Sequence, residues 1–418
     1  DLQLKGRLGQ GVYWNLASLA VLALAGVGIN LAIGRFYGPA WLGVFNLVIA
    51  VYVFATQFAV GGFHFSATKH CAQYAGDRGA INGLVSSALA LTLGLGVLVA
   101  GVIFGLRGWL GQLFESPGAA DGLLYILPGI VLFAMDKVML GALNGLRHMR
   151  AFAVFNALRY VLICILLAAW VALGQPGETL PLILTLAEAV LFVCTLAYAL
   201  RVFRPVGHWG GWLRTHLVFG FKALTGGALL EINTRVDVVM LGILASDQAV
   251  GVYSMAAIFA EGLSQLPVVL RVNLNPVITR LHYDGRREEL QALLRRGRNL
   301  SWLVMLLVSV LSVAVYPFLV NALSGEAFNQ SGWVFGTLAL GLVLAGGYLP
   351  FSQLLMQTGH PGQYTWTVVA TVISNIVLNA ALIPFWGIYG AAAATAIATL
   401  LGVLYLRWQA GRKLGLRF

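Results

Sequence analysis

"GRFYGPAWLGVF" (residues 34–45) and "GILASDQAVGVY" (residues 242–253) share Gly, eight residues, then Gly-Val-aromatic, so Gly34, Gly43 and Phe45 correspond to Gly242, Gly251 and Tyr253. The correspondence continues downstream. "QYAGDRGAINGLVSS" lies opposite "LHYDGRREELQALLRR" at nearly the same offset, and "NGLRHMRAF" from Asn144 stands opposite "TGHPGQY" from Thr358. Matches that keep one order at nearly constant spacing mark an internal duplication.

What is duplicated follows from composition. Of the 418 residues 59% are apolar, 10% are charged and 50 are glycine, with a mean hydropathy of +0.85. Such a chain falls outside the globular norm and inside that of polytopic membrane proteins. Residues 36–68, 79–106, 160–177 and 299–325 contain no Asp, Glu, Lys or Arg; nor do residues 327–406, which give three spans if broken at "QTGHPGQ" and "PFWGIYG". Breaking the rest at Gly/Pro and charge clusters predicts about twelve spans: 11–34, 42–67, 81–106, 122–145, 151–173, 179–200, 220–245, 249–278, 299–323, 331–356, 364–384 and 388–408. No cleavable secretory signal is expected, because the first apolar run is too long for an h-region and no small-residue cleavage site follows it.

Each copy of the repeat holds six spans, an even number, so the two copies enter the membrane in the same direction. The expected fold is an all-α polytopic membrane protein of two parallel six-helix halves, residues 1–200 and 218–418. Residues 201–217, "RVFRPVGHWGGWLRTHL", form the cytoplasmic linker, with Trp209 and Trp212 suited to an interface.

The basic residues set the orientation. Lys69, Arg78, Arg147, Arg150, Arg201 and the stretch from Arg280 to Arg298 fall in loops after even-numbered spans, and both tails are basic. The odd-numbered loops offer Arg35 and Arg107 beside Glu115, Asp121, Glu178, Asp247 and Glu326. This positive-inside pattern places both termini in the cytoplasm. Topology and attraction to anionic headgroups account for the net charge of +11, so no nucleic-acid partner is expected. Cys71, Cys164 and Cys194 are too few and too scattered for a disulfide framework, and the seven histidines make no ligand spacing. No metal site or covalent cofactor is implied, and without a GxxxxGK[ST] phosphate loop neither is ATP hydrolysis.

"EINTRVDVVMLG" (residues 231–242) sets Glu231, Arg235 and Asp237 in an apolar context. On one continuous helix Glu231 and Arg235 lie a turn apart and can pair, whereas Asp237 points elsewhere and needs another partner or water. Two readings stay open: an ion-pair cluster between helices, or groups facing a hydrated cavity. Ionisable groups at this depth cost about 2.5–3.5 kcal/mol on insertion scales and commonly mark substrate or ion paths. Span 8 adds Glu261, Gln265, Arg271, Asn273 and Asn275; span 1 adds Asn15 and Asn30; Asp136, Lys137, Arg159 and Glu188 lie on spans 4 to 6. Arg159 and Lys137 are expected to snorkel toward the cytoplasmic side. Spans 10 to 12 carry no Asp, Glu, Lys or Arg, so any handling of charge is expected in the other spans.

"RVDVVMLG", "AVGVYSMA" and "LPVVLRVNLNPVITRLHYDG" followed by a basic helix resemble the central signature of the polysaccharide transporter branch of the multidrug/oligosaccharidyl-lipid/polysaccharide exporter superfamily, which includes the Wzx-type flippases. "GRFYGPAWLGVFNL" resembles its first-hairpin signature. The resemblance implies a V-shaped bundle whose first, second, seventh and eighth helices line a central cavity. It implies transfer of an undecaprenyl-pyrophosphate-linked oligosaccharide, O-antigen or another repeat unit, from the cytoplasmic to the periplasmic leaflet of the bacterial inner membrane. A pyrophosphate needs cations that chelate oxygen, for which Arg is suited. Arg235 and Arg271 are the first choices, with Arg35 near the periplasmic mouth and Asn30 and Asn273 as further contacts; Glu231, Asp237 and Glu261 are expected to hold the arginines or to couple transport to H+ or Na+. A monomer is expected, in contact with lipid and with other membrane proteins of polysaccharide biosynthesis.

A multidrug antiporter of the same fold would favour carboxylates over arginines, and here the signs are mixed. A saccharide polymerase or ligase would need a large periplasmic loop, yet the odd-numbered loops are short and hold no paired carboxylates, so no enzyme is expected. A scaffold role stays open through "RREELQALLRRGR" (residues 286–298), which reads as an amphipathic helix suited to a lipid surface.

Overall fold

A computed structural model describes the backbone of residues 2–204 and 209–416 and the side chains of residues 20–204, 209–224 and 233–416. Among the described residues there is no strand. The helices are α1 (Leu2–Val60), α2 (Phe63–Gln73), α3 (Arg78–Leu113), α4 (Pro117–Gly145), α5 (Met149–Ala172), α6 (Leu182–Val202), α7 (Gly210–Asn233), α8 (Val236–Leu244), α9 (Asp247–Tyr283), α10 (Arg287–Ser324), α11 (Ser331–Ala345), α12 (Leu354–Gln357) and α13 (Pro361–Leu414).

Local chemistry sets many of the boundaries. Asp77 Oδ1 accepts from Ala80 N at 3.0 Å to start α3, and Ser116 Oγ accepts from Ala119 N at 3.2 Å to start α4 with Pro117 in its first turn. Ser246 caps α9 in the same way, at 3.3 Å from Ala249 N. Gly38 (φ +81°) and Gly387 (φ +55°) adopt backbone angles that a Cβ disfavours, so α1 and α13 are each two helices joined at a kink. These kinks separate the spans predicted over 11–34 and 42–67, and over 364–384 and 388–408.

Eight helices among the described residues are long and apolar enough to cross a membrane. A ninth span is added if α11 and residues 349–357, bent by 60°, are taken together. The exterior is correspondingly apolar: Phe318 and Phe385 are 78% and 82% exposed. In water such faces would drive association, whereas in lipid they are the solvated surface.

The chain forms two compact units, Asp1–Ile29 with Val44–Ile232, and Asn30–Gly43 with Asn233–Phe418. These groupings differ from the repeat halves, because the C-terminal part of the first span packs in the second unit and α7 packs in the first. In the first unit α4 is central, packed against α2, α3, α5 and α6, and Phe63, Leu84, Val138 and Leu143 share one buried cluster. In the second, Ile278, Leu294, Phe351 and Leu406 form a comparable core.

The duplicated motif has a structural counterpart within the second unit. A Cβ added to Gly43 would lie 2.6 Å from the Asp247 carbonyl carbon and 3.0 Å from Gly251 N. A Cβ added to Gly251 would lie 2.8 Å from the Pro39 carbonyl carbon and 3.0 Å from Gly43 N. Pro39 and Asp247 share the 208-residue offset that relates Gly34 to Gly242. The two copies thus press backbone on backbone about a local twofold relation, which only glycine permits at both positions.

Candidate functional site

In the second unit a helix break organises the polar groups. Asn233 and Thr234, whose side chains compete for backbone hydrogen bonds, end α7, and α8 restarts at Val236 with Arg235 at its N-cap. The pairing expected of Glu231 with Arg235 rests on a side chain that, like that of Asn15, lies outside the described residues. Arg235 faces Glu261 of α9, Nη2 to Oε1 at 3.8 Å, with both side chains partly exposed.

Asp237 lies in the first turn of α8, where the helix dipole favours a carboxylate. Its Oδ2 accepts from the Tyr253 hydroxyl at 2.7 Å, and its Oδ1 from Asn375 Nδ2 at 3.0 Å and Asn379 Nδ2 at 3.3 Å. Thr395 faces the same carboxylate without a hydrogen bond of good geometry, and Asn379 Oδ1 is buried with no partner. The arrangement is a buried oxygen-rich cage around one acid. In the first repeat the positions equivalent to Asp237 and Tyr253 are Ile29 and Phe45, so the cage belongs to the second copy alone.

Two of its members come from α13, on a span expected to take no part in charge handling. Asn375 and Asn379, one turn apart in an apolar helix, were the available signal. Isolated amides are so often interhelical glue that their spacing does not single them out.

The remaining predicted residues are dispersed. Arg271 Nη1 donates to Ser352 Oγ at 3.2 Å, the first rung of a ladder continued by Asn275 Nδ2 to Gln353 Oε1 and Thr279 Oγ1 to Gln357 Oε1, each 2.7 Å. This ladder ties α9 to the broken span. Asn273 is exposed and donates to its own helix at Val269 O, 2.8 Å away. Arg35 is exposed and Asn30 is buried. Among the described residues, Arg235 with Glu261 is the one ion pair joining two of the residues expected to hold substrate or ion.

The first unit holds a different arrangement. Arg159 donates to Glu188 through Nε at 2.6 Å and Nη2 at 3.3 Å, and its guanidinium stacks 4.5 Å from the centroid of Phe133. Arg159 does not snorkel: it is 7% exposed, because the bidentate carboxylate and the ring replace water. Lys137 stays half-buried, with Nζ 5.7 Å from the same ring. Asp136 is fully buried and neither carboxylate oxygen has a hydrogen-bond partner.

Where the linker enters α7, His216 is buried against α2 and α3. Leu84 O, 3.0 Å from Nε2, requires a proton there, so Nδ1 accepts from Ser66 Oγ at 2.9 Å. Burial pushes this imidazole down to about 4.

The sequence profile described as "Polysaccharide biosynthesis protein" matches residues 8–282. The chain belongs to that family. Arg235, Asp237, Glu261 and Arg271 fall inside the matched stretch, whereas Ser352, Asn375 and Asn379 lie beyond it. A relative described as probable flippase AglR, from Haloferax volcanii, is 27% identical over 170 residues; the match spans 40% of this chain and 35% of that protein. Among solved structures, the fold is similar to that of the lipid II flippase MurJ in an inward closed conformation, with a TM-score of 0.78 at 17% identity over 96% of this chain and 87% of that one. It is also similar to an inward-facing multidrug resistance MATE family transporter of the MOP superfamily, with a TM-score of 0.75 at 17% identity over 94% of each chain. These likenesses establish an all-α polytopic membrane fold.

Proposed function

We propose that the chain is a flippase that carries an undecaprenyl-pyrophosphate-linked saccharide, O-antigen or another repeat unit, from the cytoplasmic to the periplasmic leaflet by alternating access coupled to an H+ or Na+ gradient. The setting is the bacterial inner membrane, with both termini cytoplasmic. The observation that carries this reading is the family match over residues 8–282, which contains Arg235 at the break between α7 and α8 and Arg271 on α9. The loose 3.8 Å pair with Glu261 leaves Arg235 free to exchange its partner for a pyrophosphate oxygen, and Arg271 is held by a neutral hydroxyl. The cage of Asp237, Asn375 and Asn379 offers hard oxygen ligands suited to Na+ once the amides turn. The described ion pair of Glu261 with Arg235 speaks against an antiporter for organic cations, which would need that carboxylate uncompensated.

The test is leaflet sidedness of a labelled polyprenyl-pyrophosphate saccharide in proteoliposomes. Wild type is expected to translocate it, and the Arg235→Gln, Arg271→Gln double variant to be slower on the order of a hundredfold, from two lost charge-assisted contacts. Absence of wild-type translocation with and without either gradient would move the assignment to an antiporter or a scaffold.

A further inference from the structure

The two buried acids outside the arginine sites are dressed very differently. Asp237 receives a hydroxyl and two amide N–H groups. Asp136, on α4 of the first unit, receives nothing: it has no exposed surface, and Oδ1 and Oδ2 are both unpartnered. A carboxylate anion stripped of water and of donors is costly enough that the neutral acid replaces it.

The groups around Asp136 explain why no cation claims it. Arg159 of α5 is the guanidinium in reach, and its Nε/Nη2 edge is committed to Glu188 of α6. Two carboxylates therefore share one guanidinium. Lys137 follows Asp136 in sequence, about 100° round the helix, and its ammonium lies against the Phe133 ring. Tyr52 of α1 donates to Gly129 O at 3.4 Å, and the Thr195 hydroxyl of α6 faces Asp136 without a hydrogen bond of good geometry. Tyr160 of α5 acts on Tyr52, and His64 of α2 feels the charge of Lys137. Helix α3 contains no Asp, Glu or Lys, and its arginines, Arg78 and Arg107, stand near its two ends.

We propose that Asp136 is a proton-binding site of the first unit, holding one proton while Arg159 is clamped by Glu188 and releasing it when Arg159 turns to Asp136 or water enters. Glu188, left without Arg159, is itself a buried acid, so the exchange passes the proton from Asp136 to Glu188, and one proton is released to solvent when water reaches the acid that Arg159 has left. Asp136 thereby supplies the H+ side of the coupling, separate from the oxygen cage of the second unit. The coupling part of this proposal rests on the flippase reading; the proton binding does not.

The experiment reads the two parts separately. Infrared spectroscopy of the purified protein in lipid at neutral pH is expected to show the C=O stretch of a protonated carboxyl that persists in Asp237→Asn and is lost in Asp136→Asn. The band is also expected to vanish in Glu188→Gln, where Arg159 has one carboxylate left to pair with. Asp136→Asn matches the neutral acid in shape and charge, so it is expected to fold. In the sidedness assay it is expected to flip substrate while the acceleration produced by a proton gradient falls to within about twofold of none. A band that survives Asp136→Asn, or wild-type gradient dependence in that variant, overturns the proposal. Loss of wild-type flipping with the infrared result intact overturns the flippase reading instead.

Discussion

Replacing Gly43 by Ala tests the backbone contact between the two copies of the duplicated motif. The new methyl would sit 2.6 Å from the Asp247 carbonyl carbon and 3.0 Å from Gly251 N. The nearest atom is the Asp247 carbonyl oxygen, which the methyl would overlap outright, so the helices must separate by about 1.5 Å or more. Backbone cannot swing aside as a side chain can. Overpacking of this kind costs about 1–3 kcal/mol, and the rigidity of the contact puts Gly43→Ala at the upper end. At about 1 °C per kcal/mol for a chain of this length, the melting temperature in detergent should fall by roughly 2–3 °C. Gly251→Ala meets the Pro39 carbonyl carbon at 2.8 Å and should cost a similar amount. The double variant should cost less than the sum, because separation forced by one methyl makes room for the other. Gly34→Ala is the control: its methyl meets the ends of side chains, Met255 Cε at 2.8 Å and Phe328 Cζ at 2.9 Å, which can turn away. Gly43→Ala as stable as wild type, or less damaging than Gly34→Ala, would refute the reasoning.

Two further outcomes follow from single contacts. Tyr253→Phe, which installs the aromatic of the first copy, removes the 2.7 Å hydroxyl donor from Asp237 and should cost about 1.5–3 kcal/mol by thermal unfolding; an unchanged melting temperature would show that the carboxylate does not depend on it. His216 is held neutral, so the unfolded chain binds the extra proton below its ordinary value of about 6.5. Stability should be full above that pH and fall as the pH drops toward about 4; His216→Gln should flatten that part of the profile, and an equal acid sensitivity in the variant would place the cause elsewhere.

The apolar runs and the glycine-marked repeat were legible in the sequence because they are local or periodic. The charge partners were not. The span over 220–245 reads as one unbroken helix, because no proline or glycine stands between Asn233 and Val236 to announce the break. Asn375 and Asn379 lie well over a hundred residues from the acid they hold, at |i−j| of 138 and 142, so nothing in local pattern joins them to it. Arg159 was expected at an interface because its stem is long enough to reach one; the deciding partner, Glu188, stands 29 residues away on the next helix. Composition announced that charges were present in the membrane-spanning region, and only packing says which charge answers which.

The first span of each repeat begins in one compact unit and finishes in the other: α1 leaves the first unit after Ile29, and the chain makes the equivalent passage after Ile232. Division of the gene at the linker would therefore yield two incomplete polypeptides. The N-terminal fragment would lack α7, and the C-terminal fragment would lack residues 30–43 and with them Gly43, the partner of Gly251.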